Sequence, residues 1–401
     1  MTIETTSQRQ QPLIYVGVKS RARTSPTALV GNGAATDGSA QDRFVCAIDP
    51  ALPETVESIG NDYGLRMDQR FESLPPTTEW EVIPCLSCGS DRKKVWKVVP
   101  DDYDPNRLVS LVQCLSCGLV FTSPRPTLVA MGQFYPDDYI CVNLHLTPNA
   151  QEKTLRDRFY DYFFVMDREE KKVARLRRAM GDLGPNLNVL DIGCGQGAFI
   201  SLLRSRHGCR VAGVEPYSPE APRDGTLRMF SSIEEAELLA PYDAITLWYV
   251  FEHVHDPHAV LQQCRKLLKP EGKLVFEVPN LAGWPTRFWG SFWAGFDAPR
   301  HTIHFTPSTA RSILEINGWR IESLSYPVQA VGSVFALGRY LGRPWLMKTR
   351  SYCFEVFAAF VLLMPIATVL SLFRTNDAIL VVAESGKSQG QQSDNDSNVI
   401  T

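Results

Sequence analysis

Short apolar segments alternate with segments of helical periodicity through the second half of the chain. Each apolar segment has the length of a buried strand, and each intervening segment repeats its apolar positions every three to four residues. Strands that alternate with helices predict right-handed crossovers and a mainly parallel, doubly wound sheet. The predicted strands are NVLDIG, RVAGVEP, YDAITLWYV and KLVFEVPN, and the helices between them include AFISLLRSRHG and DPHAVLQQCRKLLKPEG.

Two further patterns flank this core. A long helix is predicted before it, because the apolar residues of TLRDRFYDYFFVMDREEKKVARLRRAM recur at helical spacing until Gly181. Two late segments, WRIESLSYP and DAILVVAES, predict a pair of strands that closes one edge of the sheet. The apolar residues of the long helix are Leu155, Phe159, Tyr162, Phe163 and Met166.

Composition divides the chain into domains and tails. Residues 1–75 are rich in Ser, Thr, Gly, Ala and Pro, and residues 386–401 are polar, so we expect both to be mostly disordered tails. Residues 80–126 hold two cysteine pairs, residues 127–185 form a helical connector, and residues 186–385 form the doubly wound domain. The expected fold class is α/β, a Rossmann-like mainly parallel sheet preceded by a small cysteine-rich domain.

Charge and cysteine usage narrow the function classes. A formal net charge of -3 and a pI of about 6.2 disfavour a general nucleic-acid binder, which normally has a basic excess. The stretch Met1–Arg9 is polar and no apolar segment of a signal peptide follows it, so the ten cysteines favour a reducing compartment and metal binding over a disulfide framework. We therefore expect a cytoplasmic protein.

A glycine-rich loop follows the first predicted strand. Gly193, Gly195 and Gly197 allow the backbone to approach a ligand closely, and the letters G-C-G-Q-G-A also satisfy a dinucleotide fingerprint. Asp191 separates the two interpretations, since a carboxylate beside the loop repels a pyrophosphate but attracts a cationic ligand such as S-adenosyl-L-methionine. Glu215, after the second strand, can accept hydrogen bonds from both ribose hydroxyls. The alternative is a loop packed on its own helix, with Asp191 as a helix cap.

These motifs resemble a known family. The chain resembles class I S-adenosylmethionine-dependent methyltransferases of the type 23-like family over about residues 155–385. Their first, second and fourth strand motifs are similar to VLDIGCGQG, VAGVEP and YDAITLWYVFEHVHDP. The resemblance implies that the glycine loop and Asp191 hold the methionine part of the cofactor, that Glu215 holds the ribose, and that FSSIEEA lies by the adenine. It further implies that Trp248 and Tyr249 line the cofactor cleft.

The EHV turn after the fourth strand motif belongs to the same resemblance. Glu252 and His253 match it, and we expect them to cap and orient the helix that follows.

The motif CLSCG occurs twice in the cysteine-rich domain. Each CxxCG is a tight turn that can direct two thiolates to one point, and the chain between the two turns is long enough for a small hairpin. Four thiolates form a closed tetrahedral zinc site, and structural zinc contributes on the order of 10 kcal/mol to folding. The alternative is a redox pair or disulfides. The expected Zn²⁺ ligands are Cys85, Cys88, Cys114 and Cys117.

A zinc ribbon of this kind, followed by GLVFTSPRP and FYPDDY, resembles the start of bacterial methyltransferases associated with sugar and cell-surface glycan pathways. The resemblance implies an acceptor of that class.

The predicted acceptor region is GWPTRFWGSFWAGFDAPRHTIHFTP, because loops at the carboxyl ends of parallel strands bind ligands. His301 is the first candidate for a general base, since an imidazole titrates near neutral pH, and His304 and Asp297 are further catalytic candidates. The alternative is that both histidines are structural. A metal site on the two histidines is not expected, because the sequence offers no third ligand nearby.

An aromatic run within this region has two interpretations. It is either a lid that stacks on a sugar or lipid, or a hydrophobic loop packed on the sheet. Its members are Trp284, Phe288, Trp289, Phe292, Trp293 and Phe296.

An apolar helix is predicted over residues 354–374. Its uncharged part, residues 356–373, would be roughly 27 Å long, close to the thickness of a hydrocarbon core of about 30 Å. A single membrane crossing conflicts with the strand DAILVVAES that follows it. A helix lying in the membrane interface or re-entrant at Pro365 avoids the conflict, as does a buried or dimer-forming helix.

The resulting hypothesis is methyl transfer to a small-molecule, sugar, glycan or glycolipid acceptor, in the cytoplasm or at the inner face of the membrane. One alternative is an RNA base methyltransferase that reads RNA with its zinc ribbon, and another is a non-catalytic, membrane-associated protein that binds the cofactor.

Overall fold

The computed structural model of the chain describes residues 80–104, 106–135, 154–216, 227–342, 353–373 and 375–386. All of them belong to one compact unit. Both predicted tails lie outside the described residues, apart from Gly386.

The cysteine-rich region folds as short antiparallel strands. The second, third and fourth strands form consecutive hairpin pairs, while the first strand pairs with the fifth. The strands are β1 (Trp80–Glu81), β2 (Lys93–Pro100), β3 (Leu108–Cys114), β4 (Val120–Thr122) and β5 (Arg125–Pro126).

The predicted long helix precedes the central sheet, with a change of helical pitch inside it. Val173 and Leu176 are buried against the sheet. Of the apolar positions that the sequence predicted, Leu155, Tyr162 and Phe163 are exposed. Gly181 ends the helix with a φ of 81°. The segment consists of α1 (Leu155–Tyr160), a π-helical turn (Asp161–Met166) and α2 (Asp167–Met180).

A seven-stranded sheet forms the centre of the molecule, in the spatial order β12-β13-β10-β9-β6-β7-β8. Neighbours from β10 to β8 pair in parallel, whereas β13 is antiparallel to both of its neighbours. The doubly wound sheet is therefore confirmed. Its strands are β6 (Asn188–Ile192), β7 (Arg210–Val214), β8 (Arg228–Phe230), β9 (Tyr242–Trp248), β10 (Leu268–Pro279), β12 (Trp319–Ser325) and β13 (Ala378–Ser385).

The late pair of strands forms and closes one edge of the sheet, with β13 between β10 and the outermost strand β12. One detail differs from the sequence prediction. The short strand β8 escaped prediction, because three residues are too few to show a periodicity.

Helices cover the sheet as crossovers. The helix Ala198–His207 lies between Gly197 and Gly208, which both have a positive φ. The N-terminus of the helix Pro257–Leu267 is capped by Asp256, whose Oδ1 accepts from the Ala259 amide at 3.0 Å. These elements, with one short strand among them, are α3 (Ala198–His207), α4 (Pro257–Leu267), α5 (Trp284–Trp289), β11 (Ile303–His304), α6 (Pro307–Ile316), α7 (Val331–Tyr340) and α8 (Cys353–Ser371).

The cysteine-rich region shares a second sheet with the predicted acceptor region, residues 283–307, which we call the acceptor loop. Strand β11 pairs with β4, so that the order of this sheet is β11-β4-β3-β2. Arg300, just before β11, is fully buried and bridges the two regions: it donates to Asp101 Oδ1 at 2.6 Å and to Asp297 Oδ1 at 2.8 Å. The cysteine-rich region thus supports the loop that follows β10.

The aromatic run of the acceptor loop packs against these strands. Trp289, Trp293 and Phe296 are buried in one cluster with Val109 and Leu111 of β3. They contribute to the core and are not free to stack on an acceptor, so the packing interpretation is correct for these three residues, although the partner is the cysteine-rich sheet. Phe288 points outward and is 70% exposed.

Helix α8 is apolar around its whole circumference but only partly covered. Val356 and Ala367 are buried, and Pro365 lies inside the helix. Within the described part of the chain, none of the helices has the length and apolar character that a membrane crossing needs. The large side chains that α8 and the turn after it expose are Phe354, Val361, Leu362, Ile366, Val369, Leu372 and Phe373.

Candidate active site

The glycine loop leaves the carboxyl end of β6 and turns into α3. Gly193, Gly195 and Gly197 have φ angles of 72°, 55° and 78°, a region that side chains disfavour. Gly193 is also sterically required, since a Cβ there would lie 2.3 Å from Val250 Cγ2. At Gly195 nothing lies within 4 Å of such an atom, so the middle of the loop faces open space.

Two buried carboxylates adjoin this loop, and one of them, Glu215, holds it. Glu215 Oε2, at the end of β7, accepts from the Gly195 amide at 2.9 Å. Asp191 Oδ1, near the end of β6, accepts from Thr246 Oγ1 at 2.5 Å. The structure therefore brings together the loop and both acids that the sequence motifs predicted, and Thr246 of β9 is an additional member.

Opposing effects act on the pKa of the Asp191 carboxyl. Burial raises the pKa of its carboxyl to about 7, while Lys172 of α2 and the bond from Thr246 lower it. A cationic ligand in the adjoining open space would favour the ionised form. The site therefore fits a ligand that carries an ammonium and a sulfonium group, and it does not suit a pyrophosphate.

Trp248 ends β9 next to the loop, and Tyr249 follows it. Trp248 packs edge-on against Phe199 of α3, with ring centroids 5.5 Å apart. Tyr249 adopts a φ of 58°, and its hydroxyl donates to Glu277 Oε1 at 2.9 Å. Strained non-glycine residues concentrate at functional sites.

Arg175 and Glu277 form a buried ion pair that sequence reasoning missed. Arg175 Nη1 of α2 lies 2.5 Å from Glu277 Oε2 of β10. Burial raises the pKa of Glu277, whereas Arg175 lowers it. The signal in the sequence is an acidic residue within the apolar strand VFEVP.

Residues 164–324 match a family model described as "Methyltransferase domain". The matched range contains the parallel strands, the glycine loop and both acids.

This region is a class I methyltransferase domain.

Two relatives of the methyltransferase domain share one name. The "Ubiquinone biosynthesis O-methyltransferase" of Xanthomonas oryzae pv. oryzae (strain PXO99A) is 32% identical over 131 residues, which are 29% of this chain and 54% of the relative. The protein of that name from Xylella fastidiosa (strain 9a5c) is 36% identical over 104 residues, covering 23% of this chain and 42% of the relative. The chain spans about half the length of the curated relatives it matches.

Among solved structures, a SAM-dependent methyltransferase from Archaeoglobus fulgidus is similar to part of this chain, with 20% identity and a TM-score of 0.36. The similarity covers 58% of this chain and 100% of the solved one.

The four predicted zinc ligands converge outside the methyltransferase domain. Cys85 and Cys117 Sγ atoms are 3.5 Å apart, and those of Cys88 and Cys114 are 3.6 Å apart. All four sulfur atoms lie within 4.8 Å of one another. Zinc–sulfur bonds of about 2.3 Å place tetrahedral sulfur atoms about 3.8 Å apart. The cluster therefore fits Zn²⁺, which would close the two CxxC turns into one structural site.

The three predicted catalytic residues are all buried, but only two lie together. His301 Nε2 is 3.8 Å from Asp297 Oδ2, and its Nδ1 is 2.9 Å from the Gly295 carbonyl oxygen. His304 lies on β11, where its Nε2 is 3.5 Å from Thr122 Oγ1 of β4. Burial lowers the pKa of His301, and it lowers the pKa of His304 to about 3. Both rings are neutral near pH 7, and their catalytic roles stay a prediction.

Glu252 and His253 adjoin His301 rather than serving only the helix after them. The 3-10 turn Phe251–His253 places Glu252 Oε1 4.0 Å from His301 Nε2. The cap of α4 is Asp256.

Proposed function

We propose that the chain transfers a methyl group from S-adenosyl-L-methionine to a small-molecule acceptor. One observation carries the proposal: a glycine loop is held by the buried Glu215 and lies beside the buried Asp191. The cofactor would supply an electrophilic methyl group on its sulfonium. Asp191 and the loop glycines would hold the methionine part, Glu215 the ribose, and Trp248 and Tyr249 the wall of the cleft.

The acceptor that we propose is a hydroxyl-bearing small molecule. The names of the relatives support oxygen as the methylated atom, and the resemblance of the N-terminal region to glycan-pathway enzymes supports a sugar, glycan or glycolipid. The neutral His301 ring is the candidate for removing the hydroxyl proton.

The test is transfer of labelled methyl from S-adenosyl-L-methionine to the soluble and membrane fractions of a bacterial extract. We expect wild-type protein to label a small molecule or glycolipid whose mass rises by one methyl group. Asp191→Ala should lose this activity, and Asp182→Ala, at an exposed acid, should keep it. Label in RNA would contradict the proposed acceptor, and full activity of Asp191→Ala would contradict the cofactor site.

We also propose that α8 contacts the surface of a lipid bilayer. Cations adjoin its apolar side chains, since Arg156 lies 5.6 Å from the Phe354 ring centroid and Lys171 lies 5.9 Å from that of Phe360. Apolar side chains beside cations suit the interface of an anionic membrane. This contact would give access to a lipid-linked acceptor.

Sedimentation with vesicles of anionic phospholipid tests the contact. Wild-type protein should sediment with the vesicles, and the double variant Leu362→Ser, Leu372→Ser should stay in solution. Leu238→Ser, at an equally exposed leucine in another region, is the control. Sedimentation of the double variant at the wild-type level would contradict membrane contact through α8.

A further inference from the structure

A cluster of buried polar groups lies beyond the glycine loop. Glu252 and His253 belong to the turn after β9, and His301 follows Asp297 in the loop after β10. One potential ligand atom from each of Glu252, His253 and His301 lies within 4.8 Å of the other two. The carboxyl ends of neighbouring parallel strands are where ligands bind in sheets of this type.

Glu252 provides the observation that points to a ligand. Its side chain is 1% exposed, yet neither carboxylate oxygen has a hydrogen-bond partner in the described part of the chain. Neighbouring buried carboxylates are paired, Glu277 with Arg175 and Asp297 with Arg300. A buried carboxylate that is ionised requires a cation or hydrogen-bond donors. A metal ion would satisfy this requirement.

The His301 imidazole is oriented as a metal ligand is. His301 Nδ1 lies 2.9 Å from the Gly295 carbonyl oxygen, and His253 Nδ1 lies 3.1 Å from the Arg300 carbonyl oxygen. A carbonyl oxygen can only accept, so Nδ1 of His301 carries the proton and its Nε2 keeps its lone pair. Nδ1 of His253 also lies 3.1 Å from the Tyr135 hydroxyl, which can donate to it or accept from it. Histidines that bind metals commonly donate their other N–H to a backbone carbonyl in this way.

Backbone strain marks the same place. In the described ranges, the non-glycine residues with positive φ are Tyr249, at 58°, and Asp297, at 30°. Tyr249 begins the segment that leads to Glu252, and Asp297 begins the segment that leads to His301. Strain of this kind is retained where the surrounding structure serves a function.

We propose that Glu252, His253 and His301 bind a divalent transition-metal ion, with Asp297 as the next carboxylate within reach. Two imidazole nitrogens and a carboxylate suit Zn²⁺, Mn²⁺ or Fe²⁺. Bonds of about 2.1 Å place tetrahedral ligand atoms about 3.4 Å apart. His301 Nε2 and Glu252 Oε1, at 4.0 Å, would approach each other slightly on binding.

The metal site changes two expectations. A metal site on His301 and His304 was not expected, because the sequence near them offers no third ligand. The partners of His301 come from the distant turn after β9, and His304 takes no part. A metal-bound Nε2 of His301 also cannot accept a proton, so the ion would replace the imidazole as the group that activates an acceptor hydroxyl.

Metal analysis of protein dialysed against Zn²⁺ tests the site without any assay of methyl transfer. We expect two metal ions per chain in wild-type protein, one at the four cysteines and one at this cluster. Glu252→Gln and His301→Gln should each retain one ion, and the matched control His304→Gln should retain two. The ion at the cysteines reports that a variant has folded.

X-ray absorption on zinc-loaded wild-type protein tests the site without any variant. Two sites predict a mixture of sulfur neighbours at about 2.3 Å and nitrogen or oxygen neighbours at about 2.0–2.1 Å. A single ion per wild-type chain with sulfur neighbours alone would overturn the proposal, as would a second ion that persists in both Glu252→Gln and His301→Gln.

Discussion

The glycine loop and the acceptor loop both follow the carboxyl ends of strands in the central sheet, but they are built in different ways. Residues 188–215 form a strand, a loop, a helix and a second strand in direct succession, and Glu215 at the end of the segment accepts from the Gly195 amide within its loop. Residues 283–307 instead take their support from distant strands of the cysteine-rich region. The carboxylate that holds the first loop lies within the same short segment, whereas the second loop is held by strands far away in the sequence.

We infer from this difference that the cysteine-rich region supports the candidate acceptor site. It shares a sheet with β11, and Arg300 ties Asp101 to Asp297 beside His301. Loss of this support should disturb the acceptor loop before it disturbs the glycine loop.

The largest effect is expected from removal of the zinc site. Cys88→Ser removes one thiolate ligand, and zinc binding contributes on the order of 10 kcal/mol to folding of such sites. We expect zinc content to fall and thermal unfolding to move to a much lower temperature. Cys209→Ser, at a buried cysteine outside the cluster, should keep zinc and cost about 1 kcal/mol. Equal stability of Cys88→Ser and wild-type protein would contradict a structural zinc.

Arg300→Met should have the next largest effect. The change leaves Asp101 and Asp297 without this buried guanidinium, and breaking a buried ion pair costs about 3–5 kcal/mol. Urea unfolding measures the loss. Arg311→Met, which removes an exposed pair with Glu315, should cost at most about 0.5 kcal/mol. Similar costs for the two variants would refute the view that Arg300 joins the two regions.

Two alanine substitutions in the glycine loop should differ from each other. Gly193→Ala combines the cost of a positive φ with a clash against Val250, and we expect a loss of about 2–4 kcal/mol in urea unfolding. Gly195→Ala carries the backbone cost alone, about 1 kcal/mol. Adding Val250→Ala should recover part of the loss at Gly193 and none at Gly195. A recovery at both positions would show that the clash is not the cause.

The smallest effect is a pH dependence of cofactor binding. The pKa of Asp191 is raised to about 7, above its ordinary value of 3.8, so burial disfavours the ionised form and stability falls as pH rises through about 7. A cationic ligand needs that ionised form. Binding of S-adenosyl-L-methionine should therefore be about tenfold weaker at pH 6 than at pH 8. Asp191→Asn should remove this dependence, and its persistence in the variant would assign the titration to another group.

The strands, crossover helices and glycine loop could be predicted because their signals are local. Gly193, Asp191 and Glu215 lie within one strand-loop-helix-strand unit, where hydrophobic periodicity and turn chemistry fix the geometry. The cysteine pairs could be predicted for the same reason, since CxxCG forms a turn by itself.

The rest could not be predicted because it arises from contacts between distant segments. Nothing local to His304 indicates that β11 pairs with β4, and nothing local to Glu252 indicates that His301 lies beside it. The sequence around Trp293 predicts either a lid or a loop packed on the central sheet, yet this residue packs on strands nearly two hundred positions earlier in the chain.

Calorimetry of S-adenosyl-L-methionine binding at pH 8 tests the account most directly. Wild-type protein and Asp182→Asn should bind one equivalent with equal affinity, and Asp191→Asn should bind at least tenfold more weakly, because the carboxylate that faces the cationic cofactor is gone. Unchanged affinity in Asp191→Asn, or binding of a nicotinamide dinucleotide in place of S-adenosyl-L-methionine, would contradict it.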